Sequence, residues 1–86
     1  MITKEIVIEN GTGLHARPAT LVAKKAAQFK SEVSIKVGEK TINAKSLIAI
    51  LSLGAKKGTA LEIITSGVDE EAAAVEMAAL IKGIEE

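Results

Sequence analysis

The sequence predicts an α+β sandwich, with helices covering one face of a four-stranded sheet and water on the other. Three observations predict it. Segments of apolar/polar alternation are separated by segments in which apolar residues recur at spacings of three and four. One tight turn joins two alternating segments directly. The polar alternates Glu5, Ser34, Lys36 and Glu62 leave one side of the strands hydrophilic.

The first strand runs from Ile2 to Glu9. Ile2, Ile6 and Ile8 share one face with Lys4 among them, and Thr3, Glu5 and Glu9 share the other. Asn10 to Gly13 is a turn-rich loop. Ala16 to Phe29 reads as a helix, because Ala19, Val22, Ala26 and Phe29 recur at helical spacing. Pro18 falls in its first turn, where a missing N–H costs no helical bond. Lys24, Lys25, Gln28 and Lys30 supply a polar face and a basic last turn. Glu32 to Val37 alternates again, with Val33, Ile35 and Val37 inward. Gly38-Glu39 is a two-residue turn into a short strand, Lys40 to Asn43.

Ser46 then caps a short helix that Gly54 stops. An apolar run of this length also fits a buried strand, which is the alternative. Thr59 to Ser66 puts Leu61, Ile63 and Thr65 on one face of a fourth strand, and Gly67 breaks it. Asp69-Glu70-Glu71 opens a last helix with negative charge at the positive end of its dipole. Ala73, Met77, Leu80 and Ile84 form its apolar stripe. The order is therefore β-α-β-β-α-β-α.

The chain has 86 residues, which suits one domain spanning 1–86. Phe29 is the only aromatic residue, so the core must be aliphatic. With no cysteine there is neither disulfide nor thiolate chemistry, which fits a reducing compartment. Eleven basic residues balance eleven acidic ones, and a neutral domain gains little from counterion release on nucleic acid. The absence of Tyr and Trp also removes the usual platforms for stacking bases. The alternating start is neither a signal peptide nor a membrane span, so a cytoplasmic protein without membrane insertion is expected. One histidine, no cysteine and no carboxylate pair beside that histidine leave no metal site, and no cofactor is expected. A composition rich in Ala, Ile, Lys and Glu and poor in Asn and Gln leans towards a thermophilic source.

The single histidine, His15, lies between a glycine-bearing loop and a helix start. Imidazole is a nucleophile that titrates near neutrality, and a helix N-terminus attracts anions. Together they suggest a histidine that carries a phosphoryl group. The amides of Ala16 and Arg17 can donate to phosphate oxygens, each worth ~0.3–1 kcal/mol when exposed and up to ~2 kcal/mol when partly buried. The Arg17 guanidinium can add a charge-assisted contact. Gly11 and Gly13 let the backbone turn sharply and leave room for a partner. Taken singly, each feature is ordinary: a lone histidine, a surface arginine, a proline in a first turn. Their joint placement carries the reading. No nucleophile–base pair or oxyanion constellation marks an enzyme.

The run Gly13-Leu14-His15-Ala16-Arg17-Pro18-Ala19 resembles the active-site signature of the HPr family. These are the histidine-containing phosphocarriers of the bacterial sugar phosphotransferase system, and the resemblance extends over essentially the whole chain. It implies an open-faced β-sandwich whose antiparallel sheet has the order 1-4-2-3. It also implies a monomeric carrier that is itself a substrate, not an enzyme. His15 would accept a phosphoryl group on Nδ1 from enzyme I, charged by phosphoenolpyruvate. It would then donate the group to the A domains of enzymes II for sugar uptake. Arg17 would stabilise the phosphate, with Gly13, Pro18 and Gly54 shaping the backbone.

Ser46 as a cap is worth roughly 1 kcal/mol, and a phosphate at that position would be favourable to the helix. Leu47, Ile48, Ile50 and Leu51 occupy more than one helical face. A short helix on one side of a sheet cannot bury them all, so an exposed apolar patch is expected; a deeply buried helix is the alternative. This segment resembles the regulatory serine region of HPr proteins from low-GC Gram-positive bacteria. The resemblance implies that an HPr kinase/phosphorylase modifies Ser46 for carbon catabolite repression. The modified form would bind a catabolite-control transcription factor and would accept phosphate poorly from enzyme I. It further implies that Thr20, Leu47, Ile48 and Leu51 dock partners. A purely regulatory module acting through Ser46 and the patch is the competing function. Relatives of that type lack the active histidine, so His15 argues against it. A structural domain with an incidental histidine is the second competitor.

Overall fold

The alternating segments become a single antiparallel sheet in the computed structural model, which describes residues 1–9, 11 and 13–84. Its elements are β1 (Ile2–Val7), α1 (Ala16–Ala27), β2 (Glu32–Val37), β3 (Lys40–Asn43), α2 (Leu47–Ser52), β4 (Ala60–Ser66) and α3 (Glu70–Lys82). The apolar run after Ser46 is thus a helix, not a buried strand. The strand order is β1-β4-β2-β3, with every neighbouring pair antiparallel.

The register sorts the side chains. Ile63 on β4 lies between Lys4 of β1 and Ile35 of β2, and Ile35 in turn faces Ile42 of β3. Ile6, Val33, Ile35, Leu61, Ile63 and Thr65 are buried on this face. One residue along, Glu5, Glu62, Lys36 and Thr41 form a row on the opposite face. Glu5 is exposed, whereas Glu62, Lys36 and Ser34 are half-buried by their neighbours on the sheet. The β2–β3 turn has Gly38 at φ +61°, the first central position that a two-residue hairpin of type II′ reserves for glycine.

All three helices contribute to one core with the inner face: Ala19, Val22 and Ala26 from α1, Ile50 from α2, and Ala73, Met77 and Ile81 from α3. Alanine at these contacts lets a helix lie close to its neighbours. Several expected boundaries and one stripe shift: β1 ends at Val7 rather than Glu9, and β4 begins at Ala60 rather than Thr59. α1 ends at Ala27, and Phe29 lies beyond it, still buried, after a tightened turn in which its N–H donates to Ala26 O at 3.2 Å. On α3 the buried residues are Ala73, Ala74, Met77 and Ile81, while Leu80 and Ile84 are only half-buried. At about 100° per residue Ala73, Ala74, Met77 and Ile81 fill one sector of the helix, Leu80 falls at its edge, and Ile84 lies beyond the last helical residue, Lys82.

Asp69 has a different role from the one its position suggested. Its side chain makes no capping bond to α3. Its carboxylate instead accepts the Lys30 and Ser31 backbone N–H groups, each at 2.9 Å, and the Ser31 hydroxyl. The Asp69 N–H returns a bond to Ser31 Oγ at 3.2 Å. This joins the α1–β2 turn to the β4–α3 turn. Gly67 makes the approach sterically possible, since a Cβ there would be 2.7 Å from Ser31 Cα. Beside it, Glu70 accepts from the Met1 ammonium at 2.9 Å and from the Gly67 N–H at 3.1 Å, which together hold its carboxyl below its ordinary pKa.

The Ser31 hydroxyl and then the Lys30 amide pull the Asp69 pKa from 3.8 down to about 2. The folded protein therefore holds this carboxylate ionised to lower pH than the unfolded chain does. The stabilisation is complete above the unfolded value and is lost as pH falls through the folded one. Urea unfolding should show Asp69→Asn less stable than wild type by a constant margin above about pH 5. That margin should shrink between 3.8 and about 2. A margin independent of pH down to the lower value would contradict the ionised staple.

Candidate functional site

His15 is the N-cap residue of α1, with extended backbone at φ −102° and ψ −163°. Its carbonyl accepts the Ala19 N–H at 2.8 Å, the first bond of the helical ladder. The amides of Ala16 and Arg17 lie ahead of that bond, and Pro18, buried at the third helical position, has no N–H. His15, Ala16 and Arg17 are all exposed. The imidazole makes no capping bond to the helix. Nucleophile, N–H donors and guanidinium are thus set on one exposed turn, whose direction is fixed by the buried Pro18, Ala19 and Val22 below it.

The chain before His15 is positioned by a contact that sequence spacing does not reveal. Gly13 has φ +67°, and a Cβ there would sit 2.3 Å from Ala55 O and 2.8 Å from Lys56 Cα. The neighbouring Leu14 N–H donates to Ala55 O at 2.9 Å, and Leu14 is buried. Gly13 is required on two grounds, a left-handed backbone and a close approach of two chains. The loop after α2 therefore braces the histidine loop. Of the expected loop, Asn10 and Thr12 lie outside the described residues.

Ser46 is the N-cap of α2, and its Oγ accepts the Ala49 N–H at 3.2 Å. The other end of this short helix is also tied. Lys40 Nζ donates to Ser52 O at 3.0 Å, and Gly54 follows with φ +60°. Between these ends, only Ile50 is fully buried. Ile48 is 81% exposed, Leu51 41% and Leu47 37%. A two-sided apolar helix on a one-sided sheet leaves one side in water, as its composition required. Thr20 on α1, half-buried, donates its hydroxyl to Ala16 O at 2.8 Å.

A further exposed aliphatic residue, Leu21, was not anticipated. It is 49% exposed on α1, and α1 packs against α2. Its signal was present, because Leu21 is an aliphatic residue off the Ala19, Val22 and Ala26 stripe. Among the described residues no group of His, Cys, Asp and Glu could hold a metal ion, and no helix is long and apolar enough to cross a membrane. A surface depression of about 390 Å³ on the β2–β3 hairpin, lined by Glu32, Ser34, Thr41 and Asn43 among others, includes neither His15 nor Arg17.

Residues 2–83 match the family model for the HPr component phosphorylation site of the phosphotransferase system. The chain belongs to the HPr family. It is 41% identical to the phosphocarrier protein HPr of Borreliella burgdorferi, with both chains covered completely. It is also 41% identical to an HPr-like protein Crh of Halalkalibacterium halodurans, covering 99% of this chain and 98% of that one. The crystal structure of an HPr from Thermoanaerobacter tengcongensis superposes with a TM-score of 0.86 at 38% identity, covering both chains completely. HPr proteins are phosphocarriers and not enzymes, and this chain has their topology, β-α-β-β-α-β-α with sheet order 1-4-2-3.

Gly13→Ala should destabilise the fold by at least ~2 kcal/mol in urea unfolding, since it adds a left-handed backbone penalty to a clash with Ala55. Gly38→Ala, where a Cβ would meet nothing within 4 Å, carries only the backbone penalty and should cost less. Equal losses would show that the close approach at Gly13 is unimportant.

Proposed function

We propose that His15 is the phosphoryl-accepting residue of this phosphocarrier. The observation that carries the reading is the place of the only histidine, at the N-cap of α1 directly ahead of the Ala16 and Arg17 amides. Nδ1 attacks the donor phosphorus, a P–N bond forms as the bond to the donor breaks, and the same steps run in reverse at the acceptor. The Ala16 and Arg17 amides and the Arg17 guanidinium receive the charge on the phosphoryl oxygens. Donor and acceptor are enzyme I and the enzyme II A domains of the phosphotransferase system. They dock on the exposed face bearing Thr20, Leu47, Ile48 and Leu51, to which Leu21 is added. The carrier works in the cytoplasm as a monomer of one domain, 1–86, without cofactor or metal. Pro18, Gly13 and Gly54 set the backbone.

Ser46 is the second, regulatory phosphorylation site, modified by an HPr kinase/phosphorylase and read by a catabolite-control transcription factor. A phosphate on its Oγ meets the start of α2 and sits beside Leu47 and Ile48, so it alters the docking face. A purely regulatory role has support of its own, because the Crh relative is as similar as the HPr one. The presence of His15 favours the carrier.

Incubation with enzyme I and labelled phosphoenolpyruvate separates the two. Wild type should gain acid-labile label, as a phosphohistidine does, and His15→Ala should gain none. No label on wild type, or equal label on the variant, would sink the carrier reading. With ATP and an HPr kinase, acid-stable label should appear on wild type and not on Ser46→Ala; its absence from wild type would remove the regulatory role alone. Arg17→Ala should lower kcat/KM for phosphoryl acceptance at least about tenfold, as loss of a charge-assisted bond does. Its thermal midpoint should stay close to that of wild type, and a loss of fold comparable to a core truncation would contradict the assignment.

A further inference from the structure

We propose that Lys56 is a phosphoryl-binding residue whose ammonium meets the phosphate carried on His15. The proposal rests on the carrier reading of His15 and adds to it a cation delivered from a distant part of the chain. Near His15 in sequence, Arg17 is the only basic residue from Gly11 to Ala23. Folding brings a second one alongside. The Leu14 N–H and the Ala55 carbonyl are bonded at 2.9 Å, and the next residue on each segment is His15 on one and Lys56 on the other. Lys56 Cα lies 2.8 Å from where a Gly13 Cβ would be. Two residues of chain span at most about 7 Å and an extended lysine side chain roughly 6 Å, so the ammonium reaches a group on the imidazole.

The backbone of Lys56 is a fixed mount. Its N–H donates to Thr59 Oγ1 at 3.1 Å, and its carbonyl accepts the Thr59 N–H at 3.0 Å, closing a four-residue turn. Gly58, at φ +89° in the third position, gives the turn type II form. The turn is tied to the strand leading into the histidine loop by Gly58 N–H to Ile8 O at 2.7 Å and Ile8 N–H to Thr59 O at 2.9 Å. Lys56 is exposed, so its side chain is available to an anion. A phosphoryl group on imidazole carries close to two negative charges, and Arg17 compensates one. Lys57 takes the second position of the same turn, one residue further from the Leu14–Ala55 bond, which makes it the internal control.

Phosphoramidate transfers its phosphoryl group to imidazole with release of ammonia, so the full chain can be phosphorylated at its only histidine without enzyme I. The titration of that phosphoryl group is then followed by ³¹P NMR in wild type, Lys56→Gln, Lys56→Arg and Lys57→Gln. Loss of the neighbouring cation in Lys56→Gln should raise the phosphoryl midpoint by roughly half a unit. Lys56→Arg should match wild type, and Lys57→Gln should shift much less than Lys56→Gln. High salt should shrink the difference. With enzyme I, Lys56→Gln should lose about three- to fivefold in kcat/KM for phosphoryl acceptance, the scale of an exposed ion contact. A Lys56→Gln midpoint equal to wild type, or equal shifts for the two glutamine variants, would overturn the proposal. Failure of enzyme I to label wild type would overturn the carrier reading instead, while the ³¹P comparison still decides whether Lys56 meets the phosphate.

Discussion

The sheet has one apolar face, and everything else in this molecule follows from that constraint. β4 lies between β1 and β2, with Leu61, Ile63 and Thr65 buried towards the helices and Glu62 and Ile64 half-buried on the far side. Three helices must share the single surface that can bury them. Their connections therefore cross at the ends of the sheet, and different connections are pressed together there. At one end the β1–α1 loop meets the α2–β4 loop at Gly13 and Ala55. In the second such meeting, the α1–β2 turn touches the β4–α3 turn at Ser31 and Gly67. In both places a missing Cβ admits the contact and hydrogen bonds then fix it.

These two junctions have opposite chemistry. The Ser31–Asp69 junction is closed: a carboxylate satisfies two amides and a hydroxyl, and nothing about it invites a ligand. The Gly13–Ala55 junction braces backbone only and sends side chains outward, His15 from one strand of the contact and Lys56 from the other. Rigid backbone beneath exposed side chains suits a group that must be offered to other proteins. A buried histidine could be better protected, but no partner could reach it.

Much of the fold was legible in the sequence because its signals are local. β2 and β3 start and end where the alternation does, and α2 begins at the capping serine and is closed by Gly54. α1 overran because Phe29 continues the apolar spacing after the backbone has left the helix. The stripe on α3 was off-centre because apolar residues lie on several faces of this alanine-rich helix, so spacing alone does not say which face is buried. At the site, His15, Arg17 and Ser46 were visible because caps and glycine loops leave a trace within a few residues. The Gly13–Ala55 contact and the Asp69 staple join residues far apart in sequence. Their only local trace was a glycine or an acidic residue with a simpler explanation at hand. Leu21 was legible but was passed over, since a single aliphatic residue on a polar helix face is ordinary.

The exposed aliphatic side chains around α2 are few and belong to a helix of six residues. If partners dock on this patch, as proposed, so few side chains would form complexes that dissociate quickly. On the proposed reading the carrier must leave one partner before it serves the next, and residence time would then be a working property in itself. Enlarging the patch would tighten each complex and slow the traffic through all of them.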